Sequence, residues 1–134
     1  MIASSAQNTS GSNVMVTLGG SNVPLPDNKQ LNSVTVNPAN DVFTVQQSGT
    51  YDLEYKVYLT TELFVSSKIL LNGSLLPNSE FNPAAVPANY LTKKVTVNLA
   101  AGDSISLQLY GLLGVVTLVG NDVSKATMLS ITKK

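Results

Sequence analysis

The chain has 134 residues, one domain's worth, and long enough to bury a single core. Its residues are 43% hydrophobic but only 12% charged, about half the usual share, with eight lysines balancing eight acids and no Arg, His, Cys or Trp. Those absences exclude a disulfide or a Cys- or His-ligated metal within one chain, a Cys nucleophile, a Ser-His-Asp triad and a His general base. Zero net charge without arginine argues against a nucleic-acid surface.

The segment Met1 to Asn8 has neither a basic n-region nor an apolar h-region, so it does not read as a signal peptide. Ala3 to Asn13 is rich in Ser, Asn, Thr and Gly and reads as a solvated stretch. The expected organisation is a flexible tail or linker over 1–13 and one domain over 14–134. Asn8-Thr9-Ser10 and Asn72-Gly73-Ser74 fit the glycosylation triplet, which a chain this rich in Asn, Ser and Thr also produces by chance.

Periodicity of two runs through most of the chain, and no window carries a helical stripe. Val14 to Leu18 alternates and stops at Gly19-Gly20, and Pro24 and Pro26 mark a loop. Short strands follow at Val34 to Val36 and Val42 to Val45. The clearest strand comes next: Tyr51, Leu53, Tyr55, Val57 and Leu59 take one face, Asp52, Glu54, Lys56 and Thr60 the other. Ser66 to Leu71 is a strand ended by Asn72-Gly73, a type I′ hairpin signal. Asn78 to Asn89, with Pro83 and Pro87, reads as a surface loop. Alternation resumes over Val95 to Leu99 and, after the turn Ala100 to Asp103, over Ile105 to Leu109; Thr127 to Thr132 is the last strand. Many short strands with frequent turns predict an antiparallel sandwich or jelly roll. Its expected core includes Phe43, Tyr51, Leu53, Tyr55, Val57, Ile105 and Leu107.

Leu112 to Val119 departs from the one-apolar-face rule. Leu112, Val116 and Leu118 share one parity, Leu113, Val115 and Val119 the other. One set can face the core; the other must be covered by a loop, by the other sheet or by another chain, because it would otherwise form an unusual apolar patch. Tyr58 and Tyr110 also fall on nominally polar faces, and tyrosine suits interfaces. The segment is too short to span a membrane.

Paired carboxylates are the remaining acid–base option. Asp52 and Glu54 share a strand face, continued by Lys56, which reads as a solvated face rather than a cleft. Asp103, Asn121 and Asp122 lie in turns without the dense acidic loop that a Ca²⁺ site needs. The Gly-rich turns precede no helix, so no phosphate cradle is indicated, and Lys93-Lys94 and Lys133-Lys134 are isolated pairs. No cofactor or metal is expected.

Phe43 to Leu53 combines an aromatic residue with Gly49-Thr50-Tyr51-Asp52-Leu53, a Gly-x-Tyr-x-apolar pattern. The hairpin Asn72-Gly73, the turn Ala101-Gly102-Asp103-Ser104-Ile105 and the final strand Ala126 to Ile131 follow in order. This ordered set resembles the C1q/TNF-like superfamily and, within it, the C-terminal domain of BclA-type bacterial collagen-like exosporium glycoproteins. The resemblance implies an all-β, antiparallel jelly-roll sandwich that forms a homotrimer, caps a collagen-like stalk and stands on a spore or cell surface. Its expected threefold contacts are Tyr58, Tyr110, Val116 and Leu118. A non-enzymatic trimerisation domain is the first functional reading. A fibre tip that binds surface glycans or a host receptor through the loop 78–89 is the alternative. A hydrolase would rest on Asp52 and Glu54 alone.

Overall fold

The computed structural model describes residues 1–83 and 85–134. Thirteen strands and one short 3-10 turn, Val123–Lys125, make up its regular structure. Five strands form one sheet: β1 (Ile2–Asn8), β4 (Asp27–Gln30), β7 (Gly49–Leu63), β10 (Ala88–Leu99) and β13 (Thr127–Lys133), in the order β10-β7-β13-β1-β4. The opposing sheet orders β5 (Val34–Val36), β6 (Phe43–Val45), β11 (Ser104–Tyr110), β8 (Ser66–Leu71) and β9 (Ser74–Leu75), with β3 (Ser21–Asn22) also on β11. β2 (Asn13–Val16) and β12 (Gly114–Thr117) pair at one side. Every pairing is antiparallel.

The inward parity of β7 sets the centre. Tyr51, Leu53, Tyr55, Val57 and Leu59 are buried and alternate with half-buried Asp52, Glu54, Lys56 and Tyr58. Phe43, Ile105 and Leu107 from the opposing sheet are buried against the same core. One polar network lies inside it. The Tyr55 hydroxyl donates to the Ser79 carbonyl at 2.7 Å and accepts from the Ser67 hydroxyl at 2.8 Å. The Ser79 hydroxyl accepts from the Ile69 N–H at 3.0 Å and donates to the Leu76 carbonyl at 2.6 Å. Burial pushes the Tyr55 phenol up to about 12, so it stays a neutral donor. Among the described residues, no buried side-chain nitrogen or oxygen lacks a partner.

Two sequence expectations change. Residues 1–13 are not a flexible tail: β1 pairs with β13 from Ile2↔Lys133 to Asn8↔Thr127 and with β4 on its other edge. Ser4, Ala6 and Asn8 are buried. Their small size lets an interior strand pack closely, and ladder hydrogen bonds rather than side-chain hydrophobicity hold it, so composition conceals it. β1 is therefore part of the folded domain. The stretch 78–89 is not all surface loop: Ser79 is buried and Phe81 bridges Ser67; Ala84 lies outside the described residues. The loop marked by Pro24 and Pro26 is present, between β3 and β4.

Backbone conformation serves the turns. Asn72 (φ +52°) and Gly73 (φ +81°) both take the left-handed region that a type I′ hairpin needs. Gly120 makes a close approach instead, since a Cβ there would stand 2.7 Å from the Gly11 Cα.

The molecule has two distinct ends. Ile2, Lys133 and Tyr51 lie side by side at the base, with the turns at Asn72-Gly73 and Ala100 to Asp103. The turns after β2, β7 and β11 lie at the far end.

Candidate functional site

The outward face of the five-stranded sheet is built by β7, β10 and β13. Register places Asp52 opposite Thr96 and Thr132, Glu54 opposite Lys94 and Ser130, Lys56 opposite Thr92 and Met128, and Tyr58 opposite Tyr90. The rows run from charged at the base to aromatic towards the far end.

At the charged end, Asp52 accepts from the Thr96 hydroxyl at 2.6 Å and lies 3.7 Å from the Lys134 ammonium. The Thr96 bond first, then Lys134 and Lys94, hold its carboxyl below the usual range. A concavity of about 240 Å³ here is lined by Met1, Asp52, Glu54, Lys94, Ser130 and Thr132. Asp52 and Glu54 do share this face, yet the surrounding groups lower the Asp52 pKa, which suits an ionised structural carboxylate rather than a general acid.

At the aromatic end, the Tyr58 and Tyr90 rings stack with centroids 4.8 Å apart and planes tilted by 32°. Tyr58 is half-buried and Tyr90 is 39% exposed. Burial, then the neighbouring Tyr90, raises the Tyr58 pKa, so the phenol stays neutral. The pair walls a second concavity of about 240 Å³ with Leu59, Asn89, Val119 and Lys125.

β12 continues this surface. Leu118 bridges Leu59, and the Val119 N–H donates to the Tyr58 carbonyl at 3.0 Å. Leu118 and Leu59 therefore point into the core together, while residues of the other parity, Val115, Thr117 and Val119, face outward with Tyr58. Val115 sits opposite Met15 on β2, and the two side chains are 51% and 59% exposed.

This placement corrects the expected interface. Val116 and Leu118 are fully buried within one chain, so no second chain can bury them further; they belong to the core. The doubly apolar segment is real, but its free parity is that of Leu113 and Val115. Gly111 (φ +82°) and Gly114 (φ +150°) bracket Leu112 and Leu113, yet the two parity sets persist through them: Leu112, Val116 and Leu118 lie inward, Leu113 and Val115 outward. Tyr110 is half-buried on the opposing sheet rather than beside Tyr58. Its hydroxyl lies 2.8 Å from a Glu80 carboxylate oxygen and 3.1 Å from the Asn82 side-chain oxygen, and Lys68 stands 4.2 Å over its ring. Tyr110 is thus occupied within its own chain. Sequence reasoning missed Tyr90 and Met15; each becomes visible only through its cross-strand partner.

The turn acids act as caps. Asp103 accepts from the Asn72 amide at 3.0 Å and from the Ala100 N–H at 2.8 Å, and Asp122 accepts from the Ser124 hydroxyl at 2.6 Å. Among the described residues, no three His, Cys, Asp or Glu side chains gather into a metal-holding group. Among the same described residues, no helix is long and apolar enough to cross a membrane.

Comparison with known proteins agrees with this architecture. The chain matches a crystal structure of rabbit GITRL over 100% of its own length and 94% of the other's, at 13% identity and a TM-score of 0.62. It matches murine APRIL over 98% and 99%, at 14% identity and a TM-score of 0.62. Pika GITRL gives 12% identity and a TM-score of 0.58 over 98% and 96%. These likenesses establish the C1q/TNF-like jelly-roll fold. No curated protein matches the sequence. The BclA C-terminal domain matches residues 4–133, nearly the whole chain including β1. The protein therefore belongs to the BclA C-terminal domain family.

Proposed function

We propose that this protein is a non-enzymatic homotrimerisation domain that caps a collagen-like or fibrous protein on a bacterial spore or cell surface, with the exosporium as its setting. The observation that carries the reading is the stacked Tyr58–Tyr90 pair, part exposed on the outward face of a sheet whose other rows are polar. The part-exposed rings adjoin Val119 on one side and a row of mixed charges, Glu54 and Lys94 among them, further along the same face. Tyrosine with a solvated tip is favoured in such contacts, and each buried aliphatic side chain contributes about 1.5–3 kcal/mol. Family membership and the fold support the same reading.

A closed ring of three needs two different patches per chain, each meeting the other on its neighbour. β10 supplies a second patch. It ends the five-stranded sheet, and its inward residues Val95 and Val97 are only part buried. Tyr58, Tyr90, Val115 and Met15 of one chain facing the β10 side of the next is the proposed contact.

The mechanical role follows from chain alignment. A collagen triple helix must bring three extended chains into register with glycine at its axis. A cap that trimerises first raises the local concentration of the joined ends to about millimolar and makes zippering local. The N-terminal strand starts at the base, so a stalk joined there would leave the aromatic end free. Fusing Gly-Pro-Pro repeats to the N-terminus tests this. The triple-helix melting temperature, followed by circular dichroism, is expected to exceed that of the free peptide and to lose its dependence on concentration. An unchanged melting curve contradicts the capping role.

A further inference from the structure

Asn72 and Gly73 close the hairpin between β8 and β9, and no other asparagine of the chain precedes a glycine. Both residues are exposed, and a Cβ on Gly73 would meet nothing within 4 Å. The backbone nitrogen that follows Asn72 therefore has no side chain to crowd it. Its N–H makes no hydrogen bond among the described residues, while the Asn72 N–H donates to the Ser104 carbonyl at 2.9 Å.

The neighbouring turn holds the Asn72 carboxamide. Asn72 Oδ1 accepts from the Ser104 N–H at 2.9 Å and from the Ser104 hydroxyl at 3.3 Å, and Nδ2 donates to Asp103 Oδ1 at 3.0 Å. The two donors stand where negative charge gathers when a nucleophile adds to Cγ. The other asparagines in the left-handed region, Asn28, Asn40, Asn78 and Asn121, precede Lys, Asp, Ser and Asp, whose side chains flank the following nitrogen.

We propose that Asn72-Gly73 is a self-modifying site, which deamidates in the folded protein and sets a second carboxylate against Asp103. The Gly73 nitrogen bonds to Asn72 Cγ and gives its proton to water. The Cγ–Nδ2 bond breaks, and the nitrogen takes a proton from water and leaves as ammonia. Water then opens the succinimide ring at either carbonyl, giving aspartate or isoaspartate. The net change consumes one water and releases one ammonia. Aspartate keeps an acceptor for Ser104 but replaces the donor to Asp103 with a carboxylate oxygen, where the hydrogen bond measured 3.0 Å. Like charges that close disfavour joint ionisation. No lysine is among the groups that hold Asp103 low, so none offsets the second charge. The link between the hairpin turn and the turn over Ala100 to Asp103 therefore loosens, at the end where the termini lie. This reading goes beyond trimerisation and does not need it.

Folded protein held in mildly alkaline buffer, beside a sample unfolded in guanidinium chloride, tests the site by peptide mapping with tandem mass spectrometry. In the folded sample Asn72 is expected to gain one mass unit before any other asparagine, with isoaspartate counted by a protein isoaspartyl methyltransferase. An Asn72 that stays intact in the folded protein while the unfolded sample converts, or another asparagine that converts first, overturns the proposal. Two variants test the carboxylate pair apart from the rate. Asn72→Asp is expected to melt below wild type at pH 7, with the gap narrowing towards about pH 4 as one carboxyl of the pair takes up a proton. Asn72→Ser removes the amide without adding charge, so its gap from wild type is expected to stay level from pH 7 to about pH 5. A gap for Asn72→Asp that follows that of Asn72→Ser overturns the proposal as well.

Discussion

Tyr55→Phe isolates the buried network. The substitution keeps the ring and its packing but removes a hydroxyl that donates to the Ser79 carbonyl and accepts from the Ser67 hydroxyl. Both partners are fully buried, so water cannot replace the lost bonds. A buried group left unsatisfied costs about 1–3 kcal/mol, so two such groups give an expected loss of about 2–6 kcal/mol. That is a large part of a typical total of about 5–15 kcal/mol. With an unfolding entropy of about 2.1 cal/mol/K per residue, the melting midpoint should fall by about 7–21 °C. Urea denaturation and thermal melting at one fixed protein concentration measure it. Adding Ser67→Ala removes one stranded partner, so the double variant should recover part of the loss rather than add to it. A single variant within about 0.5 kcal/mol of wild type, or a double variant whose losses add, would refute the reasoning.

Adjacent residues of β12 should behave oppositely: Val116→Asp buries a carboxylate and abolishes the folded circular dichroism signal, whereas Val115→Asp keeps the fold and lowers the solution mass. Gly120→Ala drives a Cβ into the Gly11 backbone, so a loss of about 1–3 kcal/mol is expected in urea titration, and wild-type stability would disprove the close approach. Acid should destabilise the fold late. Asp27, held low chiefly by the Thr9 N–H, Asp52 by the Thr96 hydroxyl, Asp103 by the Asn72 amide and Asp122 by the Ser124 hydroxyl all sit below their ordinary 3.8. A depressed folded value stabilises above 3.8 and loses that stabilisation as pH falls through it, so the melting midpoint should hold from pH 7 to pH 5 and drop below about 4. The raised Tyr55 value works on the other side: its stabilisation is complete below 10 and is lost as pH climbs towards about 12, which tyrosinate absorbance will follow.

The strand pattern was legible wherever side chains alternate. β7 is the clearest instance, because five inward apolar residues face polar neighbours and period two is unmistakable there. β1 was hidden for the opposite reason: Ser4, Ala6 and Asn8 are small or polar, and neighbouring backbones rather than hydrophobicity hold them. The association face was half legible. Tyr58 announces itself by standing in a polar row, but its partner Tyr90 is 32 positions away and meets it only through the β7–β10 register. Parity separated the two sets of Leu112 to Val119, but the expected interface took Val116 and Leu118 from the set that is buried. Which set faces solvent depends on the bridge between Leu118 and Leu59, a contact between residues distant in sequence.

Light scattering after size exclusion at low micromolar concentration tests the trimer most directly. The account predicts a mass of about 42 kDa, three times the 14.1 kDa chain, together with a shift towards one chain's mass for Tyr58→Glu. A wild-type mass near 14.1 kDa would contradict the trimer, and a trimer untouched by Tyr58→Glu would remove the Tyr58–Tyr90 face from its contacts.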